Sequence, residues 1–142
     1  MKSIRDPKTE VLIVDDNTQY SQILTRMLRH GFGYNNITTV ESIEDGYHLI
    51  ANQPDRFGML FCDFHFPSGV TGGELLRRLS NEQRLQNVVA FLITSEPTVD
   101  NVKEARQAGA VGVVAKPFDR DELERQLDKA ERNFQLNEGE SF

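Results

Sequence analysis

Five short apolar runs alternate with five segments whose apolar residues recur at helical spacing, and this alternation sets the fold. The runs are Val11–Val14, Ile37–Val40, Met59–Asp63, Val88–Ile93 and Val111–Ala115. Each is too short for a stable helix and reads as a strand. All but the weaker run at Ile37 are nearly continuous in apolar residues, as strands covered on both faces are. Strand and helix in strict alternation require parallel strands joined by right-handed crossovers. The expected fold is therefore α/β: a doubly wound, five-stranded parallel sheet in the order 2-1-3-4-5, with helices on both faces. The run at Ile37 is expected near an edge.

Helix boundaries follow from local chemistry. Asn17 or Thr18 caps a helix carrying Tyr20, Ile23, Leu24, Met27 and Leu28, which stops at Gly31. Ser42 opens the next, with Ile43, Tyr47, Leu49 and Ile50 on its apolar face. Thr71 and Glu74 have capping-box spacing ahead of Leu75, Leu76 and Leu79. Pro97 suits the first turn of a fourth helix. Its stripe of Val99, Val102 and Ala105 is thin, so this helix is expected to be the least firmly packed; it closes at Gly109. Asp119 and Glu122 start the last helix, whose face is marked by Leu123, Leu127, Ala130 and Phe134. Residues 1–9 read as a loose polar lead-in, 10–136 as one domain, and 137–142 as a tail without pattern.

With 142 residues, the chain can bury a full core without staples. Its single cysteine, Cys62, sits inside an apolar run and reads as a small core residue, which suits a reducing compartment, and a cytoplasmic location is expected. No secretory leader or bilayer-spanning run is read, so no membrane is expected as partner. Asp and Glu number 22 against 16 Lys and Arg, a net charge of −6. That balance argues against direct nucleic-acid binding and favours divalent cations or basic partner surfaces.

The chemistry gathers where the strands end. In a parallel sheet the carboxyl ends of the strands share one rim, which is where ligands bind. Read in turn, those ends are Asp15 and Asp16, Asp63, Thr94 and Lys116. Asp63 alone reads equally well as the start of a turn; the matching ends of the other strands favour a site. Two unit charges ~4 Å apart repel by about 4 kcal/mol at an effective dielectric of ~20. A cation removes that cost, and carboxylate oxygens suit Mg²⁺. The hydroxyl and the ammonium then offer donors to a phosphoryl group, which a carboxylate can attack.

From about Val11 to Phe134 the sequence resembles the receiver domain of two-component response regulators. The matching pieces are Val11 to Asn17, Asp63 with Pro67 four residues on, Phe91 to Ser95, and Ala115-Lys116-Pro117-Phe118. The resemblance implies a flavodoxin-like fold and makes Asp63 the phosphoacceptor. It makes Asp15 and Asp16 the acid pair that organises Mg²⁺ beside Asp63, with His65 offering its backbone carbonyl. Thr94 becomes the switch hydroxyl and Lys116 its partner at the phosphoryl group, with the Lys116–Pro117 bond often cis. Two departures stand out. Val113 replaces the usual aromatic lever, and the loop Phe66–Gly73 is about one residue longer than the common pattern. The imidazole of His65 and the carboxylate of Glu96 are expected to flank the path of attacking water, whereas His30 and His48 read as ordinary surface residues.

The implied function is a phosphorylation-controlled switch rather than a turnover enzyme. Its donor would be a histidine kinase or phosphotransfer protein, and its output an unnamed protein or a fused output domain. The responding surface would be the last strand with its flanking helices, including Arg106, Arg120 and Glu124, and a homodimer is one form it can take. The alternative is a receiver-like interaction module that acts without phosphorylation. An aspartate-nucleophile phosphatase would need a second acid where His65 stands. A flavin-binding relative would need a phosphate cradle where Asp15 and Asp16 repel one.

Overall fold

The computed structural model describes residues 3–140, with side chains as far as Asn133. Five parallel strands, β1 (Glu10–Val14), β2 (Asn36–Val40), β3 (Met59–Asp63), β4 (Val89–Thr94) and β5 (Gly112–Ala115), stand in the order β2-β1-β3-β4-β5. That is the order the alternation predicts. The helices are α1 (Thr18–Arg26), α2 (Ile43–Asn52), α3 (Gly72–Asn81), α4 (Val99–Ala108) and α5 (Arg120–Glu140).

Side chains alternate across each strand, and the two sets meet different helices. Val11, Ile13, Phe61, Phe91 and Ile93 pack with Leu24 of α1, with Leu28 just beyond its end, and with Leu123 and Leu127 of α5. Leu12, Val14, Leu60, Cys62 and Leu92 pack with Ile50, Leu76, Leu79 and Ala105 of α2 to α4. Phe61 and Phe91 are register partners whose rings stack 5.0 Å apart, joining β3 and β4. β2 lies at the edge and is only partly covered, which is why its apolar pattern was the weakest.

The Ser42 cap and the reciprocal Thr71–Glu74 capping box form as expected. Other boundaries differ. Gly31 does not stop the first helix: a π-helical turn, Met27–Gly31, prolongs it, and Gly33 at φ +82° reverses the chain. Pro97 lies before α4 rather than in its first turn, because the Thr98 hydroxyl takes the Asn101 N–H as cap. Val99 is 71% exposed and does not belong to the apolar stripe, which reduces to half-buried Val102 with buried Ala105 and Ala108.

The N-terminal segment also departs from expectation. Ile4 is buried against the α1 and α5 face; its N–H donates to Glu131 at 2.8 Å and its carbonyl accepts from the Tyr34 hydroxyl at 2.8 Å. Arg5 pairs with Asp128. One buried apolar side chain, with its backbone N–H held by the Glu131 carboxylate and its carbonyl by the Tyr34 hydroxyl, straps the segment down. α5 continues through Glu140, beyond the boundary expected near Asn137. The Phe134 side chain and residues 141–142 of the expected tail lie outside the described residues. Among the described residues, no helix is long and apolar enough to cross a membrane.

Candidate functional site at the strand ends

Each residue at the rim is held by the element it terminates. Asp15 follows β1; its N–H donates to the Val40 carbonyl at 3.1 Å, and its Oδ1 accepts the Asn17 N–H at 2.9 Å. Asp63 is the last residue of β3. The next residue, Phe64, donates its N–H to the Ile93 carbonyl and accepts the Gly72 N–H, both at 2.9 Å. A Cβ on Gly72 would lie 2.2 Å from the Asp63 carbonyl oxygen, so only glycine lets α3 start this close to the strand exit. Thr94 ends β4, buried, and its Oγ1 accepts the Glu96 N–H at 3.1 Å. Lys116, just past β5, donates its N–H to the Thr94 carbonyl at 2.9 Å, and its own peptide bond to Pro117 is cis. Its side chain turns inward, placing Nζ 3.1 Å from Asp15 Oδ2 and 3.4 Å from Asp63 Oδ1.

Charge at this rim is unbalanced. Carboxylate oxygens of Asp15, Asp16 and Asp63 lie within 4.8 Å of one another, with Asp15 and Asp63 buried and Asp16 exposed. Against Lys116 alone they leave two negative charges, the charge that one divalent cation cancels. Burial raises the Asp63 pKa above the usual carboxylate range, the Asp15 charge adds to this, and Lys116 opposes both. Asp15 Oδ2 is in ionic contact with Lys116 but, among the described residues, accepts no hydrogen bond. Three hard oxygen donors this close together, one of them a buried oxygen without a hydrogen bond, are compatible with a divalent cation. Beneath them, burial, with the charges of Asp63 and Asp15, pushes the Cys62 thiol well up, so it stays protonated and inert.

The remaining residues expected at the site stand further out. His65 is exposed with its ring edge-on to Phe64 at 4.9 Å, and Glu96 is exposed with its carbonyl accepting from the Asn101 amide at 2.7 Å. Among the described residues, neither side chain makes a hydrogen bond or ion pair. Val113 pairs with Leu92 within the sheet and packs, half-buried, on the α2 to α4 core rather than at the rim. His30 and His48 are exposed, and His48 faces Glu44 at 3.5 Å.

Tyr20 was legible in the sequence only as a helix-face residue. Its ring covers Lys116, with Nζ 4.2 Å from the ring centroid, and meets Phe118 edge-on at 5.9 Å. The signal available was its place one turn after Asn17, the helix cap that directly follows the acid pair and whose side chain accepts the Tyr20 N–H at 3.2 Å.

The chain matches the family model described as the response regulator receiver domain over residues 11–128. It is 33% identical over 120 residues to the chemotaxis protein CheY of Pseudomonas aeruginosa, covering 84% of this chain and 94% of that one. To CheY-3 of Vibrio cholerae it is 30% identical over 130 residues, 91% of this chain and 96% of the other. Among solved structures, a response regulator receiver domain protein from Clostridium thermocellum superposes with a TM-score of 0.75 at 20% identity, over 90% of this chain and 98% of that one. At that identity the likeness speaks for the fold.

Proposed function

Because this chain belongs to the response regulator receiver domain family, we propose that Asp63 takes a phosphoryl group from the phosphohistidine of a histidine kinase or phosphotransfer protein. A receiver domain is a signalling switch whose chemistry is confined to its own phosphorylation and dephosphorylation. The observation that carries the assignment is Lys116 Nζ, set between Asp15 at 3.1 Å and Asp63 at 3.4 Å at the edge of an acid cluster.

In the proposed step an Asp63 carboxylate oxygen attacks phosphorus, and the P–N bond breaks with its electron pair going to the departing imidazole. The product is an acyl phosphate carrying about −1.5 to −2 charge. Asp15, Asp16, Asp63 and the backbone carbonyl of His65 would hold Mg²⁺, which neutralises charge on the transferred group. Lys116 and the Thr94 hydroxyl supply donors to its remaining oxygens. His65 and Glu96 flank the approach of water and set the lifetime of the acyl phosphate.

Switching would begin at Thr94. Turning its hydroxyl toward the phosphoryl group gives up the bond from the Glu96 N–H and loosens the loop into α4. The helix beyond buries only Ala105 and Ala108, so little resists its movement. Val113 is too small for a rotating aromatic lever, so this loop is the route to the output surface. That surface is β5 with α4 and α5, including Arg106 and Glu124. Arg120 reaches the other way, to the Gly31 carbonyl at 3.3 Å and over Phe32. The surface engages an output protein, a fused output domain or a second copy.

The test is incubation with acetyl phosphate with and without Mg²⁺, followed by gel filtration with beryllium fluoride as phosphoryl mimic. A base- and hydroxylamine-labile adduct that forms only with Mg²⁺ supports the proposal. Equal labelling in the presence of a chelator contradicts the metal assignment, and an unchanged elution volume contradicts self-association.

A further inference from the structure

We propose that Tyr20 is a positioning residue for Lys116, its ring face holding the ammonium at the acceptor carboxylate. The inference rests on the reading of Asp63 as phosphoacceptor and adds a residue to that site. A lysine ammonium rides on a flexible four-carbon stem and needs its surroundings to aim it. Here Asp15 lies on one side at 3.1 Å and Asp63 on another at 3.4 Å. The Tyr20 ring closes a third side at 4.2 Å from its centroid. Side-chain exposure of Lys116 is only 9%.

The ring is itself fixed from two directions. Asn17 holds the Tyr20 N–H at 3.2 Å, setting the first turn of α1. Phe118, half-buried against the core on the α1 and α5 side, meets the ring edge-on at 5.9 Å and 88°. One wall therefore comes from α1 and its brace from the segment after β5. Phosphorylation of Asp63 replaces the carboxylate that Lys116 faces with bulkier phosphoryl oxygens. An aromatic face attracts a cation without needing a fixed counter-charge, so it keeps the ammonium from swinging to solvent as its partner changes. Among the described residues, the Tyr20 hydroxyl makes no hydrogen bond, which assigns the role to the ring.

The test compares Tyr20→Phe, Tyr20→Leu and replacement of Tyr20 by mono-, di- and trifluorinated phenylalanine, which weaken the ring's attraction for cations while keeping its shape. Two quantities are read: the rate of Asp63 phosphorylation by acetyl phosphate with Mg²⁺, and the proton shifts of the Lys116 ε-methylene. Tyr20→Phe should keep the wild-type rate, Tyr20→Leu should lower it roughly three- to tenfold, and the fluorinated series should fall stepwise. A flat series with wild-type phosphorylation intact overturns the inference and leaves Asp63 as acceptor. If the wild type takes no phosphoryl group, it is the acceptor reading that fails. The ring-current shift then decides the contact without phosphate: upfield in wild type and lost in Tyr20→Leu upholds it, and its absence from the wild type overturns it.

Discussion

The ammonium of Lys116 stands 3.4 Å from Asp63 although the whole of β4 separates the strands that carry them. Neighbouring strands lie about 4.8 Å apart, so a side chain must reach across nearly 10 Å to make this contact. Lysine has the length.

Removing that ammonium leaves buried carboxylates facing one another. Lys116→Met should destabilise the metal-free protein by about 3 kcal/mol, measured by urea unfolding. Added Mg²⁺ should restore part of the loss. Phosphorylation should be slowed whether or not stability recovers.

Asp63 gives the opposite sign. Burial and Asp15 raise its folded pKa above the ordinary value of 3.8. The folded state therefore binds the proton more tightly, and stability falls as pH rises from that value through the folded one. At neutral pH the ionised carboxylate costs stability. Asp63→Asn should raise the metal-free melting temperature at pH 7 by roughly 2–4 °C and flatten its acid dependence, while wild type alone gains further from Mg²⁺.

The N-terminal strap has an alkaline signature. Burial pushes the Tyr34 hydroxyl from 10.0 to about 12. Its contribution is complete below pH 10 and is lost as pH rises through about 12, because the unfolded phenol ionises first. Tyr34→Phe should cost about 1 kcal/mol at pH 7 by orphaning the Ile4 carbonyl. The same substitution should shrink the loss of stability seen in denaturant melts across the alkaline interval.

Gly72→Ala tests how α3 frames the acceptor. The methyl would sit 2.2 Å from the Asp63 carbonyl oxygen, so strand exit or helix must move. A loss of about 1–3 kcal/mol is expected, with slowed phosphorylation and shifted Asp63 and Phe64 amide resonances.

His65→Ala should lengthen the lifetime of the acyl phosphate several-fold, followed as loss of label from purified phosphoprotein. An unchanged rate would remove the imidazole from the path of water.

Much of this was legible in the sequence because the strands are covered on both faces and their apolar runs end abruptly in polar residues. Asp15, Asp63, Thr94 and Lys116 therefore announced both the rim and its contents. Ser42, Thr71 and Glu74 announced helix starts, since capping is local chemistry. The rest depends on contacts distant in the chain. Ile4 looked like part of a polar lead-in because its partners, Tyr34 and Glu131, lie far along the sequence. Val99 has helical spacing, yet the placement of α4 leaves it in solvent. Gly31 looked like a stop because nothing local reveals that a π-helical turn carries the chain past it. Tyr20 fits a core face by periodicity, and only the inward turn of Lys116 gives its ring a cation to cover.

The most direct measurement is the intact mass of wild type and Asp63→Asn after incubation with acetyl phosphate and Mg²⁺. A gain of one phosphoryl group on wild type, reversed by hydroxylamine and absent from the variant, is the predicted result. No gain on wild type, or an equal gain on Asp63→Asn, would contradict the assignment of Asp63.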